Sequence, residues 1–233
     1  MKLRIKYQEE YSRGELLLRT IFGYIYIVLP HMFLLLFFGL WGAILQFISF
    51  WVILFTGKYP ESFFEYQVKL MRWQVRVNAR MYNVSDGYPA FGLDGTDEYT
   101  DFDVEYPENL SRGLQLVKLL FGWLYVGIPH GFILMFRTLW NMILIFLAFW
   151  VVLFTGKFPQ SWHEFTVGTL RWSTRVNLYL AYMTDTYPPF TGDELPGEWT
   201  DSDEANSDDS DVQDSAPSQE SESDTTAPED NNE

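Results

Sequence analysis

The chain repeats itself. Set against itself at an offset of 99, residues 12–94 align with 111–193 without a gap, and 39 of the 83 pairs are identical. A match of that length is a tandem duplication, so the fold must be assembled from two copies of one unit. The identities fall in blocks. Ser-Arg-Gly opens each copy, and Phe22, Gly23, Tyr26, Pro30 and His31 match Phe121, Gly122, Tyr125, Pro129 and His130. Then come "FWVILFTGKYPESF" (50–63) against "FWVVLFTGKFPQSW" (149–162), an RWxxRVN pattern, and a closing YPxF.

Each copy carries a long apolar run, 21–56 and 120–155. Thirty-six residues of helix measure about 54 Å, against about 30 Å for a bilayer core. That length predicts a helical hairpin in each copy, with arms of about 17 residues that either span the membrane or re-enter it. The turn is expected at "FFGLWGA" and "FRTLWNM", because Arg137 and Asn141 fit a headgroup-level tip better than mid-membrane burial. The remaining bases up to Arg175 flank the apolar runs, which by the positive-inside tendency puts both termini in the cytoplasm and both repeats in the same orientation. The start of the chain lacks the pattern of a cleavable signal peptide, so the first run is expected to remain as an anchor.

Charge divides the chain. From Glu194 to Glu233 there are 15 acidic residues and no Lys or Arg, while residues 1–193 hold 16 of each sign. The net charge of −15 therefore belongs to a tail that cannot bury enough apolar surface to order, read as disordered and available to a partner. The domain reading is repeat 1 over 1–94, an exposed acidic linker over 95–110, repeat 2 over 111–193 and the tail over 194–233. With no cysteine, disulfides, thiolate nucleophiles and Cys-ligated zinc are excluded.

Past each hairpin, residues 61–84 and 160–183 show helical periodicity. Phe63, Tyr66, Leu70, Trp73, Val77 and Met81 form one stripe beside a second of Glu65, Lys69, Arg72, Arg76 and Arg80. Such a pattern predicts an amphipathic interfacial helix, with Arg72, Arg76, Arg171 and Arg175 as lipid-phosphate contacts or as partners of nearby acids. Gly57, Pro60, Gly156 and Pro159 form a helix-exit turn, which places Lys58 and Lys157 near anionic headgroups. The turn lacks the glycine spacing and Lys-Ser/Thr pair of a phosphate-binding loop. His31 and His130, each following a proline in apolar sequence, are the intramembrane polar candidates, in a structural, hydrogen-bonded role or on a proton path. His163 has Phe64 as its counterpart and does not share that role.

The proline–histidine arm, the LFTG[KR][YF]P turn, the RWxxRVN helix and the close, "SDGYPAF" at 85–91 and "TDTYPPF" at 184–190, resemble a bacterial membrane family known as a domain of unknown function. That resemblance implies a prokaryotic inner-membrane protein and imports no activity. The fold class expected is all-α integral membrane: two parallel tandem repeats, each a hairpin plus an interfacial helix, with a disordered tail. The function expected is a non-enzymatic scaffold or accessory protein with no cofactor or metal, bound to anionic lipids and to a protein partner through the tail or hairpins. A small transporter or channel built on the two pseudo-symmetric repeats with their Pro-His arms is the alternative, and a lipid-modifying enzyme the third choice. The few bases, tied to membrane flanks, argue against nucleic acid.

Overall fold

Each apolar run forms one continuous helix. In the computed structural model, which describes residues 1–198, β1 (Lys2–Ile5) leads into α1 (Arg13–Thr56), α2 (Glu61–Met81), β2 (Thr100–Asp103), α3 (Arg112–Thr155) and α4 (Gln160–Leu180). Residues Met1–Leu195 form one compact unit. Most of the acidic tail lies outside the described residues.

The hairpin expectation is corrected by the residues that suggested it. Arg137 Nε donates to Thr169 Oγ1 at 2.9 Å, and its guanidinium lies 4.2 Å over the Phe165 ring. Asn141 is buried, with its Oδ1 accepting from Thr166 Oγ1 at 2.7 Å. These polar groups sit in mid-helix because a neighbouring helix supplies their partners. Ser12 and Ser111 cap the two long helices, each hydroxyl accepting a first-turn N–H. Both helices stop at Gly57 and Gly156, whose φ values of 78° and 76° lie in the left-handed region that glycine tolerates.

After that turn α2 runs back along α1. Tyr66 Oη donates to Phe38 O at 2.8 Å and Gln67 Nε2 to Gly42 O at 2.6 Å, while Met81 reaches Gly23. The aromatic stripe therefore faces α1, and α2 is an inner layer of the protein, as is α4 against α3. That corrects the interfacial-helix expectation: α1 covers the aromatic stripe that was to meet lipid, and loops and strands take up Arg72, Arg76 and Arg80.

A two-fold axis relates the repeats. β1 and β2 pair antiparallel with Leu3 opposite Phe102, positions equivalent at the offset of 99, so the axis passes through that pair. The same exchange recurs around it. Tyr11 N donates to Gly156 O at 2.8 Å and Leu110 N to Gly57 O at 2.7 Å. Tyr7 Oη donates to Phe158 O, and Tyr106 Oη to Tyr59 O. Each lead-in segment is thus seated on the exit turn of the other repeat. The long helices accordingly run antiparallel, with Arg13 donating to Phe154 O at 3.3 Å and Arg112 beside Gly57. The linker is no loose connector either, for it supplies β2 and the buried Asp97 that pairs with Arg80.

One helix contact shows how the copies diverged. Gly42 faces Gln67 in repeat 1, whereas Asn141 faces Thr166 in repeat 2, a small–large pair exchanged for its reverse. A Cβ at Gly42 would lie 3.0 Å from Leu70 Cδ2 and 3.4 Å from Gln67 Oε1. Gly42→Asn is expected to cost about 1–3 kcal/mol by overpacking. Adding Gln67→Thr should restore part of that loss, seen as a non-additive thermal-unfolding cycle in detergent. Strictly additive changes would contradict the contact.

Candidate functional site

The repeated motifs meet at one place in each repeat. Pro30 has no N–H to give the carbonyl of Tyr26, four residues back, and the helix relaxes there: over Tyr24–Val28 it widens, and Leu29 N–H reaches five residues to Tyr24 O. The orphaned Tyr26 carbonyl accepts from Tyr88 Oη at 2.9 Å. In repeat 2, Pro129 leaves Tyr125 O, which accepts from Tyr187 Oη at 3.2 Å. The tyrosine of YPxF thus replaces the hydrogen bond that the proline removes.

The histidine beside each proline is held from two more sides. Trp73 Nε1 donates to His31 Nδ1 at 2.8 Å, and Trp172 Nε1 to His130 Nδ1 at 2.9 Å. The rings stack on the phenylalanine of YPxF, His31 on Phe91 at 4.0 Å and His130 on Phe190 at 3.9 Å between centroids. Both histidines are fully buried. Because the indole N–H is only a donor, each Nδ1 is an acceptor and carries no proton. His130 Nε2 lies 3.2 Å from Tyr187 Oη.

The arginines of RWxxRVN hold the loop that brings that phenylalanine. Arg76 donates to Gly92 O at 2.7 Å and to Gly95 O, and Arg175 to Thr191 O at 3.1 Å and Asp193 O at 2.8 Å. Arg72 donates to Phe102 O at 2.9 Å and pairs with Asp103, while Arg171 donates to Leu3 O, Gly192 O and Glu194. The first arginine of each RWxxRVN motif therefore grips a strand of the central pair. These bonds replace the phosphate contacts expected of the four arginines: three of the side chains are buried and Arg72 is half-buried, all among internal acceptors. Lys58 and Lys157 are exposed at the exit turns. Gly57, Pro60, Gly156 and Pro159 form those turns, and their carbonyl side is the seat of the other repeat.

Several members of the cluster escape a reading by residue type. Asp86 accepts from Ser12 N and Arg19, and Asp185 from Ser111 N and Lys118, which ties the closing motif to the start of the long helix. Their signal in the sequence is recurrence: Asp, Tyr, Pro and Phe of the close are identical in both copies. Among the described residues, no three His, Asp or Glu side chains stand close enough to share a metal ion.

Fold and cluster define a duplicated helical protein with two helices long and apolar enough to cross a membrane. The profile of the family described as domain of unknown function DUF4389 matches residues 13–92 and 118–192, and the chain belongs to that family. Neither a curated protein nor a solved structure matches the chain.

Trp172→Phe should leave a buried imidazole nitrogen without its donor and cost about 1–3 kcal/mol, with Tyr187→Phe behaving alike at the Tyr125 carbonyl. Unchanged thermal unfolding of both variants would contradict the cluster. His163 in α4, edge-on to Tyr7 and next to Glu164, gives a pH effect: burial pushes its pKa down from 6.5 to about 4. The unfolded chain then binds the extra proton first, so stability is intact at pH 7 and falls below about 6.5, by up to about 1.4 kcal/mol per pH unit. His163→Phe, which installs the residue found at position 64, should reduce the fall in melting temperature between pH 7 and 5. An unaltered fall would assign it elsewhere.

Proposed function

We propose that this protein is a non-enzymatic membrane scaffold or accessory protein of the bacterial inner membrane. The long apolar helices hold it to the lipid, and its polar layer and acidic tail face the cytoplasm, where they bind a protein partner. The observation that supports this reading is the fate of the repeated polar side chains. His31, His130, the two tryptophans, four arginines and two tyrosines are all engaged in internal bonds that fix the fold.

Lys58 and Lys157, with Arg13 and Arg112 next to them, remain as exposed bases at the two ends of the long helices, where anionic headgroups fit. The transport alternative needs the Pro-His arms to bind and release a proton or solute. Flux through liposomes that is abolished by His31→Leu with His130→Leu would favour transport over scaffolding.

Purification of the full chain from gently solubilised membranes should recover a stoichiometric protein partner, lost when residues 199–233 are deleted. Recovery of the chain alone, under conditions that keep other membrane complexes intact, would contradict the scaffold reading.

A further inference from the structure

We infer that α1 and α3 lie in the plane of the membrane, embedded side-on in one leaflet, with the rest of the protein resting on that leaflet's surface. The inference rests on the membrane reading proposed above and specifies how the lipid is met.

Length is the first ground. Exposed apolar side chains run from Leu17 to Phe55 on α1 and from Leu116 to Phe154 on α3. Thirty-eight helical steps are about 57 Å, nearly twice the hydrocarbon thickness. An upright helix would leave much of that apolar surface in water. A helix lying flat has no such limit.

Charge is the second ground, and it is independent. Because α2 runs back along α1, its side chains can be placed level with those of α1. Gln67 is level with Gly42 and Trp73 with His31. Between and beside them, on the outer side, are exposed Glu65, the Lys69–Asp94 pair and the Arg72–Asp103 pair, in which the carboxylates are 81% and 64% exposed. These charges stand level with the middle of the apolar run. An upright α1 would carry them to the bilayer centre, where insertion scales put the cost at about 2.5–3.5 kcal/mol per charge. Laid flat, the same charges stay in water.

The symmetry makes the two apolar faces coplanar. Around α2, Leu70, Trp73 and Val77 face α1, and Met71, Gln74, Val75 and Asn78 face their α4 counterparts across a cleft. Arg72 points to β2, about 130° round the helix from the α1 face at 100° per residue. The axis runs between α2 and α4 and through the strand pair. Both long helices therefore lie on the side away from the strands, and their exposed faces form one surface. Arg13 with Lys157 and Arg112 with Lys58 sit at the two ends of that surface, where headgroups surround an embedded platform.

The native chain has no cysteine, so single probes report without background. The full chain, carrying a fluorophore at Ile25→Cys, Leu36→Cys or Phe47→Cys, is reconstituted in equimolar phosphatidylcholine–phosphatidylglycerol vesicles. Lipids brominated at different depths then quench it. Flat embedding gives coincident depth profiles confined to one leaflet, and Glu10→Cys and Glu65→Cys then react with an impermeant maleimide from the same side. A spanning helix separates the Ile25 and Phe47 probes by about 33 Å, into opposite leaflets, and would overturn the inference while leaving the membrane reading intact. Probes shielded from every brominated lipid in vesicle-bound protein would mean that a second copy covers the face, which also overturns it. A chain that does not associate with vesicles overturns the membrane reading itself.

Discussion

Everything else in this molecule depends on the seating of each lead-in segment on the other repeat's exit turn. The carbonyls of Gly57 and Gly156 point away from their own helices and are taken by Leu110 N–H and Tyr11 N–H. A left-handed glycine is needed to turn the chain there, and the turn then offers a backbone acceptor that its own repeat does not fill. The tyrosine hydroxyls on Phe158 and Tyr59 carbonyls repeat the exchange one step outward. Between them Leu3 and Phe102 close the axis, both almost fully buried. Neither repeat is complete without the other.

The second constraint is the proline in each long helix. Removing one donor from a helix leaves a carbonyl without its helical partner, so a side chain must come to it. That demand fixes where Tyr88 and Tyr187 sit, and the tyrosines bring Phe91 and Phe190 onto the histidine rings. The histidine rings are thus held between an indole N–H and a phenyl face carried on a loop that the arginines fix. The buried Arg80–Asp97 pair, at 3% and 5% side-chain exposure, has no equivalent in repeat 2, where Tyr179 and Tyr125 share a hydroxyl–hydroxyl contact of 3.0 Å. One architecture therefore tolerates an ion pair or a neutral one at the same point.

The duplication, the exit turns, the second helix of each repeat and the demand created by each proline are legible in the sequence. They are local, set by spacing and by the chemistry of glycine and proline. The continuity of α1 and α3 is not legible, because Arg137 and Asn141 read as surface groups until Phe165, Thr166 and Thr169 are seen to run alongside them. The basic stripe of α2 misleads for a related reason. Asp94, Asp97 and Asp103 meet the expected alternative of acidic partners, but its other acceptors are backbone carbonyls of a loop and of β2, 16–30 residues away, and carbonyls have no sequence signature. β2 hides in an acidic stretch whose pairing partner lies about a hundred residues earlier.

Reciprocal seating is tested most directly by dividing the chain after Glu98, so that β2, Tyr106 and Leu110 stay with the second repeat, and measuring mass and cooperative unfolding of each half, alone and together. The two halves should assemble one-to-one into a cooperatively unfolding complex. A half that folds on its own should do so only as a dimer of itself, using both partners of the exchange. A monomeric half with a cooperative unfolding transition would contradict the account, because it would show one repeat complete without the other's lead-in segment.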